Sequence, residues 1–248
     1  RADWLRRPLG AEPPVDRIDA AAARNAIERM LASGGGWLEP AAARAALTAY
    51  DVPLVPERVA ATVDEAVTAA RALGYPVVLK TAGAGVHKTE SGGVALGLDT
   101  DEAVRMAGER IGPPLLVQPM LTGAAEFLAG VVQDPVFGPL VAFGAGGVMA
   151  ELIGGTGFRI APLTDVDAQE LVDGGKAGEL VRGFRGRPAV QRRALTDLLH
   201  RLARLAEDLP EIAELDLNPV LANGDGCVAV DARVRVAPAQ RPDRAKSW

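Results

Sequence analysis

The sequence predicts an α+β fold in two lobes. Helical and strand-like stretches alternate along the chain as a meander, which mixes both element types in one architecture. The 248 residues are nearly half hydrophobic, enough for two cores. A break at Gly112-Pro113-Pro114 precedes a fresh strand and marks the second lobe. The expected division is residues 1–19 as a linker or tail, 20–114 as the first lobe with a glycine-rich phosphate loop, 115–236 as the second lobe with a metal site, and 237–248 as a tail.

The elements follow in order. Pro8, Pro13 and Pro14 among charges make the first residues a linker. Residues 20–31 form an alanine-rich helix with Ile27, Met30 and Leu31 on one face, ending at Ser33-Gly34-Gly35-Gly36. A second helix spans 39–50, with Pro40 in its first turn and Pro53 beyond its end. Residues 55–61 are strand-like. The helix over 62–73 has Thr62 as N-cap and Gly74 just past its end. An apolar strand, 76–80, then enters a glycine-rich loop, 81–93, and a return strand reaches Leu98. A helix over 100–110 completes the first lobe.

The second lobe begins with a strand at 115–119. Strands at 126–132 and 140–143 flank a turn over 134–139. The glycine run 144–147 lacks the third glycine of a dinucleotide fingerprint, because that position is Met149. Helices are expected at 164–172 and 192–209. The latter is amphipathic through Leu195, Leu198, Leu199, Leu202 and Leu205, and His200 within it reads as structural. A hairpin of 211–221 and 227–236 turns at Asn223-Gly224-Asp225-Gly226 and closes the fold.

Composition narrows the function. No run approaches ~18 consecutive apolar residues, so no transmembrane helix is expected. Arg1, Asp3, Arg6 and Arg7 without an apolar stretch argue against a signal peptide. The single cysteine, Cys227, suits a reducing cytoplasm. A formal charge of −5 and 4% aromatic residues argue against nucleic-acid binding. The basic run 182–187 is too short for a groove, and reads equally as a solvated turn or an anion-contacting loop.

The densest chemistry lies in residues 81–93. The chain has four lysines against 23 arginines, yet Lys80 and Lys88 fall within nine residues, with His87 between them. Glycine-rich backbone can turn its N–H groups around an oxyanion, and lysine meets a phosphate oxygen as a mobile point charge. This is a phosphate site with a nucleophile inside it, set against the alternative of a hairpin tip with no ligand. It is no Walker loop: His87 precedes Lys88, and a strand follows in place of a helix. Further on, Glu214-Leu215-Asp216-Leu217-Asn218-Pro219 alternates polar with apolar residues, so Glu214, Asp216 and Asn218 share one strand face. Asp231 lies across the hairpin among apolar neighbours. Such hard-oxygen donors suit Mg²⁺, which takes the rest of its shell from water and substrate phosphates. The alternative has Asn218 capping the Pro219 turn and Asp231 paired with an arginine.

Many segments together carry a resemblance. They are Gly74-Tyr75-Pro76 to Lys80; Val86-His87-Lys88-Thr89; Val117-Gln118-Pro119-Met120; Asp134-Pro135 with Phe137-Gly138-Pro139; and Gly146-Gly147 with Glu151-Leu152. Phe158-Arg159-Ile160-Ala161-Pro162-Leu163, Arg182-Gly183 with 185–188, Leu215-Asp216 with Asn218-Pro219, and Val230-Asp231-Ala232 continue the series. In this order they resemble the ATP-grasp domain of the NDP-forming acyl-CoA synthetases, like the β subunit of ADP-forming acetyl-CoA synthetase.

The resemblance implies an ATP-grasp fold, with nucleotide held between the two lobes, and ATP/ADP and Mg²⁺ as cofactors. It implies that Lys80 contacts nucleotide phosphates and that His87, Lys88 and Thr89 lie at the grasping loop. Gln118, Met120 and Leu121 would belong to the hinge at adenine, with Glu126 on the nucleoside side and Glu151 also in the site. Asn218 and Asp231 would hold Mg²⁺. His87 would be a transient phosphate carrier, passing phosphate to ADP in acyl-CoA + ADP + phosphate = acid + ATP + CoA. An imidazole pKa near ~6.5 keeps a nucleophilic nitrogen available at neutral pH. The CoA-binding and ligase domains are absent from these residues and would be supplied by a partner. In the alternative reading the domain is a silent regulatory or ligand-sensing module fused to a protein acetyltransferase. Another ATP-grasp ligase, such as a carboxylate–amine ligase, fits the combined motifs less well.

Overall fold

The computed structural model describes residues 8–82, 93–147, 155–184, 186 and 188–239. The chain divides into two compact units, residues 55–122 and residues 1–54 with 123–248.

The smaller unit is a four-stranded antiparallel sheet covered by two helices. Its strands are β2 (Arg58–Ala60), β3 (Val77–Thr81), β4 (Val94–Leu98) and β5 (Leu115–Pro119), ordered β2-β5-β3-β4. The helix Val63–Leu73 starts where the Thr62 hydroxyl accepts from the Glu65 N–H and ends at Gly74, whose φ of 88° suits only a residue without a Cβ. The helix Asp101–Ile111 repeats this with Thr100, which accepts from the Ala103 N–H, and Gly112 at φ 82°. Val77, Leu79, Leu115 and Val117 point from the two central strands into the core, against Ala66, Ala70, Val104 and Ala107. Alternation along β3 and β5 therefore sends Val78, Lys80, Leu116 and Gln118 to the face without helices.

The strand over 115–119, expected to open the second lobe, belongs here: it pairs with both β2 and β3. The proline pair at 113–114 sits within a crossover and does not end the unit. The strand expected over 55–61 is shorter, confined to Arg58–Ala60.

The larger unit is built on a seven-stranded sheet. It contains β1 (Gly36–Trp37), β6 (Ala125–Asp134), β7 (Gly138–Ala145), β8 (Gly157–Ile160), β9 (Ile212–Ala222), β10 (Cys227–Ala229) and β11 (Ala232–Val236). Its order is β1-β11-β9-β6-β7-β8, with β10 pairing β9. The expected return strand over 227–236 is thus two strands, interrupted at Val230-Asp231. The helices Ala20–Ala32 and Pro40–Thr48, expected in the first lobe, bury Ile27, Leu47 and the adjoining Tyr50 in this unit's core with Leu215 and Val234. Sequence proximity to the first lobe is outweighed by that burial.

The helices Asp165–Asp173, Gly175–Val181 and Arg192–Asp208 complete the unit. Thr164 and Asp167 form a reciprocal capping box at the first of these. The third buries all five leucines expected of it, each contributing about 1.5–3 kcal/mol relative to exposure. They meet Val131, Phe143, Leu215 and Leu217 on the core side of the sheet, where Phe127 and Phe143 stack with centroids 5.3 Å apart. The other side of the sheet carries the polar residues that matter below.

Candidate functional site

In the smaller unit, register sets Lys80 and Gln118 diagonally on the helix-free face. Lys80 lies opposite Leu116, and Gln118 lies opposite Val78. Lys80 is half-buried, while Gln118 is only 2% exposed. The Gln118 amide donates from Nε2 to Glu57 Oε2 at 2.8 Å, tying the end of β5 to the approach to β2. Past the strand, the Met120 N–H donates to the Pro76 carbonyl at 2.9 Å, and Leu121 is 41% exposed. The segment expected to meet a nucleobase is therefore anchored at Gln118 and Met120 and exposed at Leu121. Glu57 was missed in the sequence because the contact spans 61 residues.

In the larger unit, Glu214, Asp216 and Asn218 share the face of β9 turned away from the helices, as the alternation predicts. Glu214 lies opposite Arg235 and Asp216 opposite Arg233 on β11. The Asn218 N–H donates to the Asp231 carbonyl at 3.3 Å and the Val230 N–H to the Pro219 carbonyl at 3.0 Å, holding Asn218 beside Asp231. Asp231 Oδ1 accepts from the Ala232 N–H at 3.0 Å. Among the described residues Asp231 forms no ion pair, and the Asn218 side chain makes no hydrogen bond. Among the described residues, neither the arginine-paired alternative for Asp231 nor a side-chain cap by Asn218 is present.

The charges on this face are partly balanced, since Glu214 pairs with Arg235 at 3.2 Å. Burial pushes the Asp216 carboxyl above its ordinary value; Arg233 counters this, and Asp231 and Glu214 add to it. Among the described residues no cluster of three or more His, Cys, Asp or Glu could by itself hold a metal ion. One carboxylate and one amide oxygen match an ion that completes its shell with water and substrate phosphates, so this donor set fits Mg²⁺.

Glu126 projects from β6 on the same face and meets the second glycine run. Its backbone carbonyl accepts from the Gly146 N–H at 2.8 Å. A Cβ on Gly147, at φ 76°, would stand 2.6 Å from Glu126 Oε2, and one on Gly146 would stand 2.8 Å from the Phe127 backbone. The two glycines exist for this close approach, a reason the failed dinucleotide fingerprint did not reveal. His87, Lys88, Thr89 and Glu151 lie outside the described residues.

Comparison with known proteins places this geometry. A family model described as an ATP-grasp domain matches residues 29–236. The chain is 36% identical over 233 residues to the beta subunit of acetate–CoA ligase (ADP-forming) I of Pyrococcus furiosus, a match covering 89% of this chain and 99% of that one. It is 39% identical to acetate–CoA ligase (ADP-forming) I of Archaeoglobus fulgidus, covering 88% of this chain but 33% of that longer one. Among solved structures, the dinucleotide-forming acetyl-coenzyme A synthetase 1 of Ca. Korarchaeum cryptofilum, in complex with coenzyme A and Ca-AMPCP, superposes with a TM-score of 0.80 at 36% identity, covering 86% of this chain and 99% of that one. The same enzyme with Mg-AMPPCP has its phosphohistidine segment pointing towards the nucleotide binding site, and matches with a TM-score of 0.78 at 38% identity over 86% of this chain and 99% of that one.

Proposed function

The chain belongs to the ATP-grasp family, and from that premise we propose that it is the nucleotide-handling part of an NDP-forming acyl-CoA synthetase. The observation that carries the reading is the pair Asn218 and Asp231, held side by side at the β9 face turned away from the helices. Mg²⁺ bound there would neutralise charge on the phosphates of ATP or ADP. Lys80 contacts those phosphates, with Lys88, Thr89 and Glu151 completing the site. Gln118, Met120 and Leu121 form the edge at the base, and Glu126 lies toward the ribose.

In the reaction, phosphate arrives on His87 from a partner histidine. The N–P bond to the imidazole then breaks as a β-phosphate oxygen of ADP takes the phosphoryl group, leaving neutral His87 and ATP. The match spans nearly all of the Pyrococcus beta subunit but a third of the longer Archaeoglobus enzyme. The CoA-binding and ligase functions accordingly come from a partner subunit or from further domains. No described helix is long and apolar enough to cross a membrane. We place the protein in the cytoplasm, where its single cysteine stays reduced.

Incubation with γ-labelled ATP and Mg²⁺ tests the transfer step run in reverse. Acid-labile, alkali-stable label on the chain, absent from His87→Ala although that variant still binds nucleotide, is the expected result. Equal labelling of the variant would exclude His87 as the carrier. Bound nucleotide without any labelling would favour the regulatory, non-transferring alternative.

A further inference from the structure

The face of the larger sheet turned away from the helices has a charged half and an apolar half. Register follows one row of side chains across it: Arg233 lies opposite Asp216, Asp216 opposite Gly130, Gly130 opposite Ala142, and Ala142 opposite Phe158. The next row runs from Arg235 through Glu214, Val132 and Leu140 to Ile160. Parity puts both rows on the face of Asn218, because Val131, Val141, Leu215 and Leu217 turn to the core.

The apolar half is open to solvent. Phe158 and Ile160 are each 50% exposed and Val132 is 38% exposed, with Leu140 and Ala142 half-buried between them. Val136 and Phe137, at the tip of the hairpin joining β6 to β7, are exposed as well. Asp134 holds that tip, because its Oδ1 accepts from the Val136 and Phe137 N–H groups at 2.8 and 2.9 Å. Exposed apolar side chains scattered singly need no explanation, but large ones gathered on one sheet face mark a contact surface.

The position of the patch identifies its occupant. Strand spacing near ~4.8 Å and a rise near ~3.3 Å per residue place Phe158 about 16 Å from Asn218 across the same face. A stable interface takes roughly 800 Å² of each partner, a footprint about 16 Å in radius, so whatever centres on the patch also reaches the metal pair. A second copy of this chain would block that approach. The part that delivers phosphate must instead make it, and about five extended residues span the distance. Arg233, at the charged end of its row and two residues from Asp231, is exposed and forms no ion pair among the described residues. It meets an arriving phosphorylated segment with complementary charge. We propose that this patch is the apolar centre of the seat for the CoA-binding and ligase part, whose phosphorylated segment then lies over Asn218, Asp231 and Arg233. The proposal rests on the function read above.

The test uses this chain with its CoA-binding and ligase part supplied as a separate polypeptide. Phe158→Asp and Ile160→Asp each place a charge at an exposed position, so both variants should melt with the wild type and keep Mg²⁺-dependent nucleotide binding. Calorimetric titration should show their affinity for the ligase part weakened roughly thirtyfold, the loss of one central anchor. Met106→Asp, at an exposed position in the smaller unit, should leave that affinity unchanged. In the wild type, amide exchange across 157–160 should slow about tenfold or more in the complex, a readout that needs no variant. Tight wild-type binding that neither variant weakens, or unchanged exchange at 157–160, would overturn the proposal and leave the functional reading standing. A chain that binds nucleotide but no ligase part would overturn both. Self-association of the isolated chain, abolished by Phe158→Asp, would assign the face to a second copy and overturn the proposal.

Discussion

Gly130 lies on β6 between Asp216 of β9 and Ala142 of β7, and a Cβ added there would stand 2.5 Å from the Leu215 carbonyl oxygen. Real Cβ atoms essentially never come under 3.0 Å, and the obstructing atom is backbone in the central strand pair, so β6 and β9 must separate. Forcing one extra methyl into a packed interior costs about 1–3 kcal/mol. For a chain of this size, that lowers the midpoint of thermal unfolding by roughly 2–12 °C. Gly224, in the turn between β9 and β10, is the internal control. Nothing lies within 4 Å of its Cβ position, so Gly224→Ala should change stability by no more than about 0.5 kcal/mol. Circular dichroism melts of both variants measure the difference. Because β9 carries Asp216 and Asn218, Gly130→Ala should also weaken Mg²⁺-dependent nucleotide binding, while Gly224→Ala leaves it intact. Equal melting points for the two variants would refute the close-approach argument.

Other consequences follow from single groups. Arg71, and then Tyr75, which donates to Asp101 Oδ1 at 2.7 Å, hold the Asp101 carboxyl down to about 2. An unfolded carboxyl titrates near ~3.9, so this contribution is full above that pH and is lost as pH falls through about 2; Asp101→Asn should flatten the acid limb of a stability–pH curve there. Burial pushes the Cys227 thiol up to about 12, and Cys227 Sγ lies 3.3 Å from the Ala194 carbonyl, so Ellman's reagent should react slowly with native protein at pH 8 and rapidly once it is denatured. The buried Tyr50 hydroxyl donates to Asp208 Oδ2 at 2.8 Å, and Tyr50→Phe should cost about 1.5–3 kcal/mol, read as a shifted urea midpoint at constant slope.

What could be read from sequence was local. Thr62 with Gly74, and the leucine stripe from Leu195 to Leu205, announce their helices through capping chemistry and period. The alternation from Glu214 to Asn218 gives the open face of β9 because side-chain direction in a strand is fixed by parity. Long-range choices were not legible. Leu115–Pro119 looked like the start of a lobe because a proline pair precedes it, yet it inserts between β2 and β3 through hydrogen bonds that no local pattern encodes. The helices near the N-terminus have apolar faces that could cover either core, and only packing shows which one they fill. Glu57 and Gln118 look like ordinary polar residues until β5 brings them together. His200 reads as a structural histidine, and its burial agrees.

The most direct measurement is thermal unfolding of the wild type and Asp231→Ala with ADP or ATP, each with and without Mg²⁺. A nucleotide at about 100 times its dissociation constant should add roughly 2.7 kcal/mol to the folded state. The account expects that rise in the wild type only when nucleotide and Mg²⁺ are both present, and expects Asp231→Ala to lose it while unfolding near the ligand-free wild-type temperature. A full Mg²⁺-dependent rise in Asp231→Ala, or no rise in the wild type with either nucleotide, would contradict it.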